Sequence, residues 1–122
     1  MVEMAISGKK NNYERHQLVE DFFLLNDANT VACEVPVWFW DKNKGTGYSG
    51  HIDLLQIRRG LIFILDYKPN AKLEHKAPAQ LISYVKALSF RTDIKESNFR
   101  CAWFDEKDYF EFNPNTFNLS LN

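Results

Sequence analysis

The first apolar pattern in the chain is helical: Leu18, Phe22 and Leu25 recur at i, i+4 and i+7. The stretch "NNYERHQLVEDFFLLNDAN" therefore predicts a helix of about 14 residues, starting near Asn12 and stopping at the turn signals Asn26–Asn29. The pattern then changes. "VACEVPVWFW" (31–40) is rich in β-branched and aromatic residues and predicts a strand, followed by the polar, Gly-rich connection "DKNKGTGYSG". Residues 51–57 and 61–68, separated by "RRG", read as an antiparallel hairpin, and "PNAKLEHKA" as a charged loop. "APAQLISYVKALSFR" is a second helix, with Pro78 in its first turn and a core stripe of Leu81, Val85 and Leu88. Gln80, Tyr84 and Arg91 line one edge of that stripe. "FRCAWF" and "YFEF", joined by "DEKD", predict a second hairpin, and the tail from Asn113 reads as polar and weakly structured. The order is helix, three strands, helix, two strands: one α/β domain over 1–122, with a mixed central sheet flanked by helices.

Composition narrows the function classes. With 122 residues, 45% hydrophobic and 25% charged, the chain can bury a core without staples. A net charge of -1 gives no global basic signal, so a nucleic-acid partner needs a local positive patch. No apolar run approaches the ~20 residues of a membrane span, and "MVEMAISGKK" lacks the apolar core of a secretory signal. These features lead us to expect no membrane partner and a cytoplasmic location. Cys33 and Cys101 lack the CxxC spacing of zinc and iron–sulfur sites and read as buried thiols.

The candidate chemistry lies where an apolar strand ends in charge. Asp66 and Lys68 share a face with Ile62 and Ile64, at about 7 Å per two-residue step. Asp53, on the neighbouring strand, can approach them across the hairpin. Two carboxylates and one ammonium suit a hard divalent cation and the hydrolysis of a phosphodiester. Acidic-x-Lys triplets also occur as "EHK" at 74, "DIK" at 93 and "DEK" at 105, but only "DYK" ends an apolar strand. The competing reading is a structural ion-pair network at a sheet edge.

"GHID" at 50–53, "DYK" at 66–68 and "QLISY" at 80–84 resemble the GxxD, DxK and QxxxY signatures of RecB-like nucleases in the PD-(D/E)XK superfamily. Order and spacing match as well, over about residues 12–112. The resemblance implies a restriction-endonuclease-like αβββαβ core and a metal-dependent deoxyribonuclease in which water activated by the metal attacks the phosphodiester. It implies that Asp53 and Asp66 bind Mg²⁺ or Mn²⁺, with the Tyr67 carbonyl as a further ligand, and that Lys68 is the catalytic lysine. Gln80 and Tyr84 would brace the site or touch the substrate backbone. The superfamily's first-helix acid falls best on Glu14, one turn before Leu18 on the apolar stripe. Some members use an N-terminal histidine instead, and His16 is the candidate for that. Subgroups with an iron–sulfur cluster need four cysteines and are excluded by two.

Simpler readings stand beside these. Gln80 and Tyr84 fit an ordinary amphipathic helix, and Glu14 fits a first-turn acid favoured by the helix dipole. His51 could join the metal's outer shell or simply pack. Arg58 and Arg59 occupy a turn, solvated or touching phosphate. Trp38, Phe39 and Trp40 could stack bases, although alternating core and surface packing explains them more simply. Lys9, Lys10, Lys42, Lys44, Lys72 and Lys76 lie in three polar segments suited to holding a phosphate backbone. The expected partner is DNA, with a homodimer or a larger nucleic-acid-processing complex as the assembly. The alternative function is a nuclease-like module that binds nucleic acid without cutting it.

Overall fold

The computed structural model describes residues 29–117, and element labels count from the first described one. Among the described residues five strands form one sheet in the order β1-β2-β3-β4-β5. They are β1 (Thr30–Asp41), β2 (Thr46–Arg58), β3 (Leu61–Tyr67), β4 (Phe99–Phe104) and β5 (Tyr109–Phe112). Only β3 and β4 run parallel, and the helix α1 (Ala77–Thr92) lies between them in the chain. The described residues are therefore α/β with a mixed sheet. The expected N-terminal helix, with Glu14 and His16 on it, lies outside them.

The central strand is β3, whose run of buried residues from Phe63 to Tyr67 suits a strand covered on both faces. It is joined to β2 by Arg59 and Gly60, with φ of 53° and 78°. Positive φ at both central positions marks the tight hairpin turn whose twist matches the flanking strands. On one face, Ile52 and Ile64 pack with Leu81 and Val85 of α1. On the other, Leu54, Phe63, Leu65 and Tyr67 pack with Ala102 and Phe104. The helix stops at Asp93, which adopts φ 63° and donates its N–H to the Ser89 carbonyl, a left-handed cap that Asp tolerates.

Three details depart from the sequence-based expectations. β2 starts at Thr46, so the connection after β1 shrinks to Lys42–Gly45, closed by Asp41 Oδ1 accepting the Asn43 and Lys44 amides. Thr46–Ser49 are exposed, and a strand wet on both faces has no apolar alternation to read. The tail is also better ordered than its polarity suggests. The amides of Thr116 and Phe117 donate to the Asn113 carbonyl, and the Phe117 ring lies 4.7 Å from that of Phe112. Finally, both cysteines are free, but only Cys101 is fully buried; Cys33 is half-buried.

One irregularity positions the site. Cys33 and Leu54 pack in the second core cluster, yet Val35 and Ile52, two residues further along the same ladder, pack in the first. Between them Glu34 has φ 50°, so the β1–β2 ribbon turns over at the level of Glu34 and Asp53. The β2–β3 ladder ends just there, at Leu54 opposite Leu65.

Candidate metal centre

Where β2 leaves β3 the two strands form a fork, and the charged residues occupy it. The Tyr67 N–H, beyond the last β2–β3 rung, donates to Asp53 Oδ2 at 2.8 Å. A side-chain carboxylate thus takes over from the missing strand partner and is fixed by it. Asp66 would meet Asp53 one rung past the end of the ladder. On the other side of β3, the Lys68 amide donates to the Phe104 carbonyl at 2.9 Å, which ties the chain after Asp66 to β4.

The electrostatics of the fork are unbalanced. Asp66 is only 4% exposed. Lys68 Nζ lies 3.1 Å from its Oδ2, close enough for an ion pair. Among the described residues that buried oxygen has no hydrogen-bond partner beyond this ion pair. Burial first, and then the Asp53 carboxylate, push the Asp66 carboxyl up to about 7, against the pull of Lys68. Burial, followed by Asp66 and Asp53, also raises the Tyr84 phenol. Among the described residues, two carboxylates and one ammonium share this poorly solvated place, a combination that a bound cation would stabilise.

Tyr84 reaches this fork from α1 because of Gly50. A β-carbon on Gly50 would stand 2.5 Å from the Tyr84 hydroxyl and 2.9 Å from its ring. The backbone of His51 and the side chain of Gln80 lie against the same phenol oxygen. The Gly of "GHID" and the Tyr of "QLISY" are therefore two halves of one contact, a dependence invisible when each motif is read alone.

The structure brings Asp53, Asp66, Lys68, Tyr84 and the Tyr67 backbone together, with Gln80 exposed at the margin and His51 exposed beside Gly50. Among the described residues no group of three or more His, Cys, Asp and Glu side chains is placed to enclose a metal. The donor set visible here is the carboxylate pair, and both candidates for a further side-chain ligand, Glu14 and His16, fall outside the described residues. Sequence reading missed Glu106, whose Oε2 accepts the Tyr67 hydroxyl at 2.9 Å and pins the side chain of the residue between Asp66 and Lys68. Its only signal was a place in the "DEKD" turn. Cys101 takes no part: burial pushes its thiol up to about 12, which keeps it protonated and inert.

No protein-family model matches this chain, and no curated protein matches it either. Among the described residues no helix is long and apolar enough to cross a membrane.

Proposed function

We propose that this chain is a metal-dependent nuclease of the PD-(D/E)XK type that hydrolyses phosphodiester bonds in DNA, with a restriction-endonuclease-like core. The observation that carries the reading is the buried, unaligned Asp66 Oδ2 beside Asp53 and Lys68. Among the described residues a single ammonium, 3.1 Å from that oxygen, faces two carboxylates there. Asp53 and Asp66 would hold Mg²⁺ or Mn²⁺, hard cations that prefer oxygen donors, together with the Tyr67 carbonyl and the acid on Glu14. When bound, such a cation polarises the phosphoryl group, lowers the pKa of a water and offsets charge as it develops.

The chain's own residues supply the rest. Asp53 is held by the Tyr67 amide, so its carboxylate is positioned before any ligand arrives. Lys68, with a side chain 26% exposed, is reachable by a substrate phosphate while anchored by Asp66. It can stabilise negative charge on the phosphorus oxygens or orient the attacking water. Tyr84 borders the fork on the helix side, with the Gln80 side chain against its hydroxyl.

The test is cleavage of circular and linear DNA, single- and double-stranded, in Mg²⁺ and in Mn²⁺. At least one form should be cut, and Asp66→Asn should stop it. DNA binding without cleavage of any form would overturn the nuclease and leave the non-cutting module.

A further inference from the structure

Beyond the fork, one face of the molecule carries aromatic side chains that the core does not use. Trp38 is 50% exposed, Trp40 51% and Phe90 83%. Both indoles flank Gly47 across the ladder, where a β-carbon would lie in ordinary contact, 3.5 Å from each. Phe90 comes from the last turns of α1, and between it and the ribbon runs a groove of about 810 Å³. Lys42, Lys86 and Arg91 line this groove against Asp93 and Glu96, which leaves an excess of positive charge. None of the three cations forms an ion pair among the described residues. Arg91 is held in place: its Nε donates to the Trp38 carbonyl at 3.2 Å, and its guanidinium lies 5.9 Å from that indole.

The groove also leads to the fork. Trp38 and Arg91 line both this groove and a second hollow of about 530 Å³, which ends at Gly50 and His51. Gly50 touches Tyr84, and Tyr84 is near enough to Asp66 and Asp53 to feel both charges. Groove and hollow together form a path from the exposed aromatics to Gly50, on whose other side the buried Tyr84 phenol separates it from the carboxylates.

We propose that this path is a track for unpaired, single-stranded DNA, with bases stacked on Trp38, Trp40 and Phe90 and phosphates held by Lys42, Lys86 and Arg91. Aromatic rings separated by cations are what a single strand recognises, since every base offers a π-face and every nucleotide a phosphate. A duplex hides its base faces and could use only the cations. The proposal rests on the nuclease reading for its product, but not for its binding step.

The experiment measures binding of oligo-dT and of a duplex of equal length, by tryptophan quenching and by fluorescence anisotropy, in Ca²⁺ and with the Asp66→Asn chain so that no cleavage intervenes. Oligo-dT should bind more tightly than the duplex. Trp40→Ala with Phe90→Ala should weaken oligo-dT by roughly tenfold or more, as lost stacking on two rings predicts, and leave duplex binding within about twofold. Phe90→Ala alone, at a side chain almost free of packing, guards against misfolding and should show the same trend. Lys42→Glu with Lys86→Glu should flatten the salt dependence of binding. Equal oligo-dT affinity in the parent and the aromatic variants would overturn the track. So would equal losses for oligo-dT and duplex, or aromatic substitutions that change only the oligomeric state, which would mark the groove as an interface between copies. If the aromatic variants lose oligo-dT while the unmutated chain cuts no DNA, the track stands and the nuclease reading falls.

Discussion

Asp66 and Asp105 are the same residue type, each heads an acid-x-Lys triplet, and each closes one of two neighbouring parallel strands. Their surroundings differ completely. Asp105 accepts three backbone amides, from Ala71 at 2.9 Å, Lys107 at 2.8 Å and Asp108 at 2.7 Å. Burial works to raise it, but the amides and the Lys107 charge outweigh burial and hold the carboxyl below its ordinary range. Asp66 has a buried oxygen with no aligned donor and a like charge beside it, and it is raised to about 7. One carboxylate is consumed by the fold: it ties the loop after "DYK" to the β4–β5 turn. The other is paired with Lys68 but held at a cost by burial and by the second carboxylate beside it.

The sharpest way to break this contrast is activity. Asp66→Asn should lower DNA cleavage by more than about 100-fold, and Lys68→Ala by ~100- to 10,000-fold, the range for a charge-stabilising or proton-transferring group. Lys68→Ala should still bind DNA within roughly tenfold, since it is one of several phosphate contacts. Asp105→Asn, which keeps an acceptor oxygen, should cut within a few-fold of the parent. Cleavage time courses in Mg²⁺ and gel shifts in Ca²⁺ measure both, and equal damage from the two Asp→Asn changes would erase the distinction.

Stability should reverse the order. Asp105→Ala strands the part-buried amides of Ala71 and Asp108 and should cost on the order of 1–3 kcal/mol in urea unfolding. Asp66→Asn in EDTA at pH 8 should be neutral or stabilising, because it removes a charge the folded state holds at a penalty. Adding Mn²⁺ should raise the melting temperature of the parent, as a ligand of the folded state does, and leave Asp66→Asn unmoved.

The pH dependence separates the pair further. Asp66 has a folded pKa of about 7 against an ordinary 3.8, so the folded state binds more protons between those values. Its contribution is therefore full below about pH 4 and falls as pH rises to about 7. The melting advantage of Asp66→Asn over the parent, measured in EDTA, should grow across that window and level off above it. Asp105 is shifted the other way, so its contribution is present above its unfolded pKa and is lost as pH falls through its lowered folded value.

A smaller effect tests whether the fork is a packed unit. Gly50→Ala should cost about 1–3 kcal/mol by crowding the Tyr84 hydroxyl. Tyr84→Phe should recover part of that loss, a coupling readable in a double-mutant cycle. Simple additivity would mean that the two motifs do not meet.

How much of this was legible in the sequence depends on burial. β3 was readable because Leu61–Asp66 is a continuous apolar run ending in charge, and α1 because Leu81 and Val85 repeat on one face. The first half of β2 was not, since exposed Thr46–Ser49 carry no periodic signal. "DYK" stood out from "DEK" by what precedes it, but the reason for the difference, three amides around Asp105 against a lysine and a second carboxylate around Asp66, is tertiary. For Trp38 and Trp40 the sequence leaves base stacking beside alternating core and surface packing, and their half-exposure follows from a ribbon that outruns the sheet. No residue-level pattern encodes how far a hairpin projects.

The Arg59–Gly60 turn has a kinetic consequence. It joins Asp53 to Asp66 through a tight local hairpin, whereas the parallel β3–β4 pairing must wait for α1 to cross over. Local hairpins close in about 1–10 μs, well before non-local pairings. The two carboxylates are therefore forced together early, before Tyr84 arrives to cover them. A divalent cation held by Asp53 and Asp66 would then bind while the chain is still folding, and would raise the refolding rate across the chevron more than it slows unfolding.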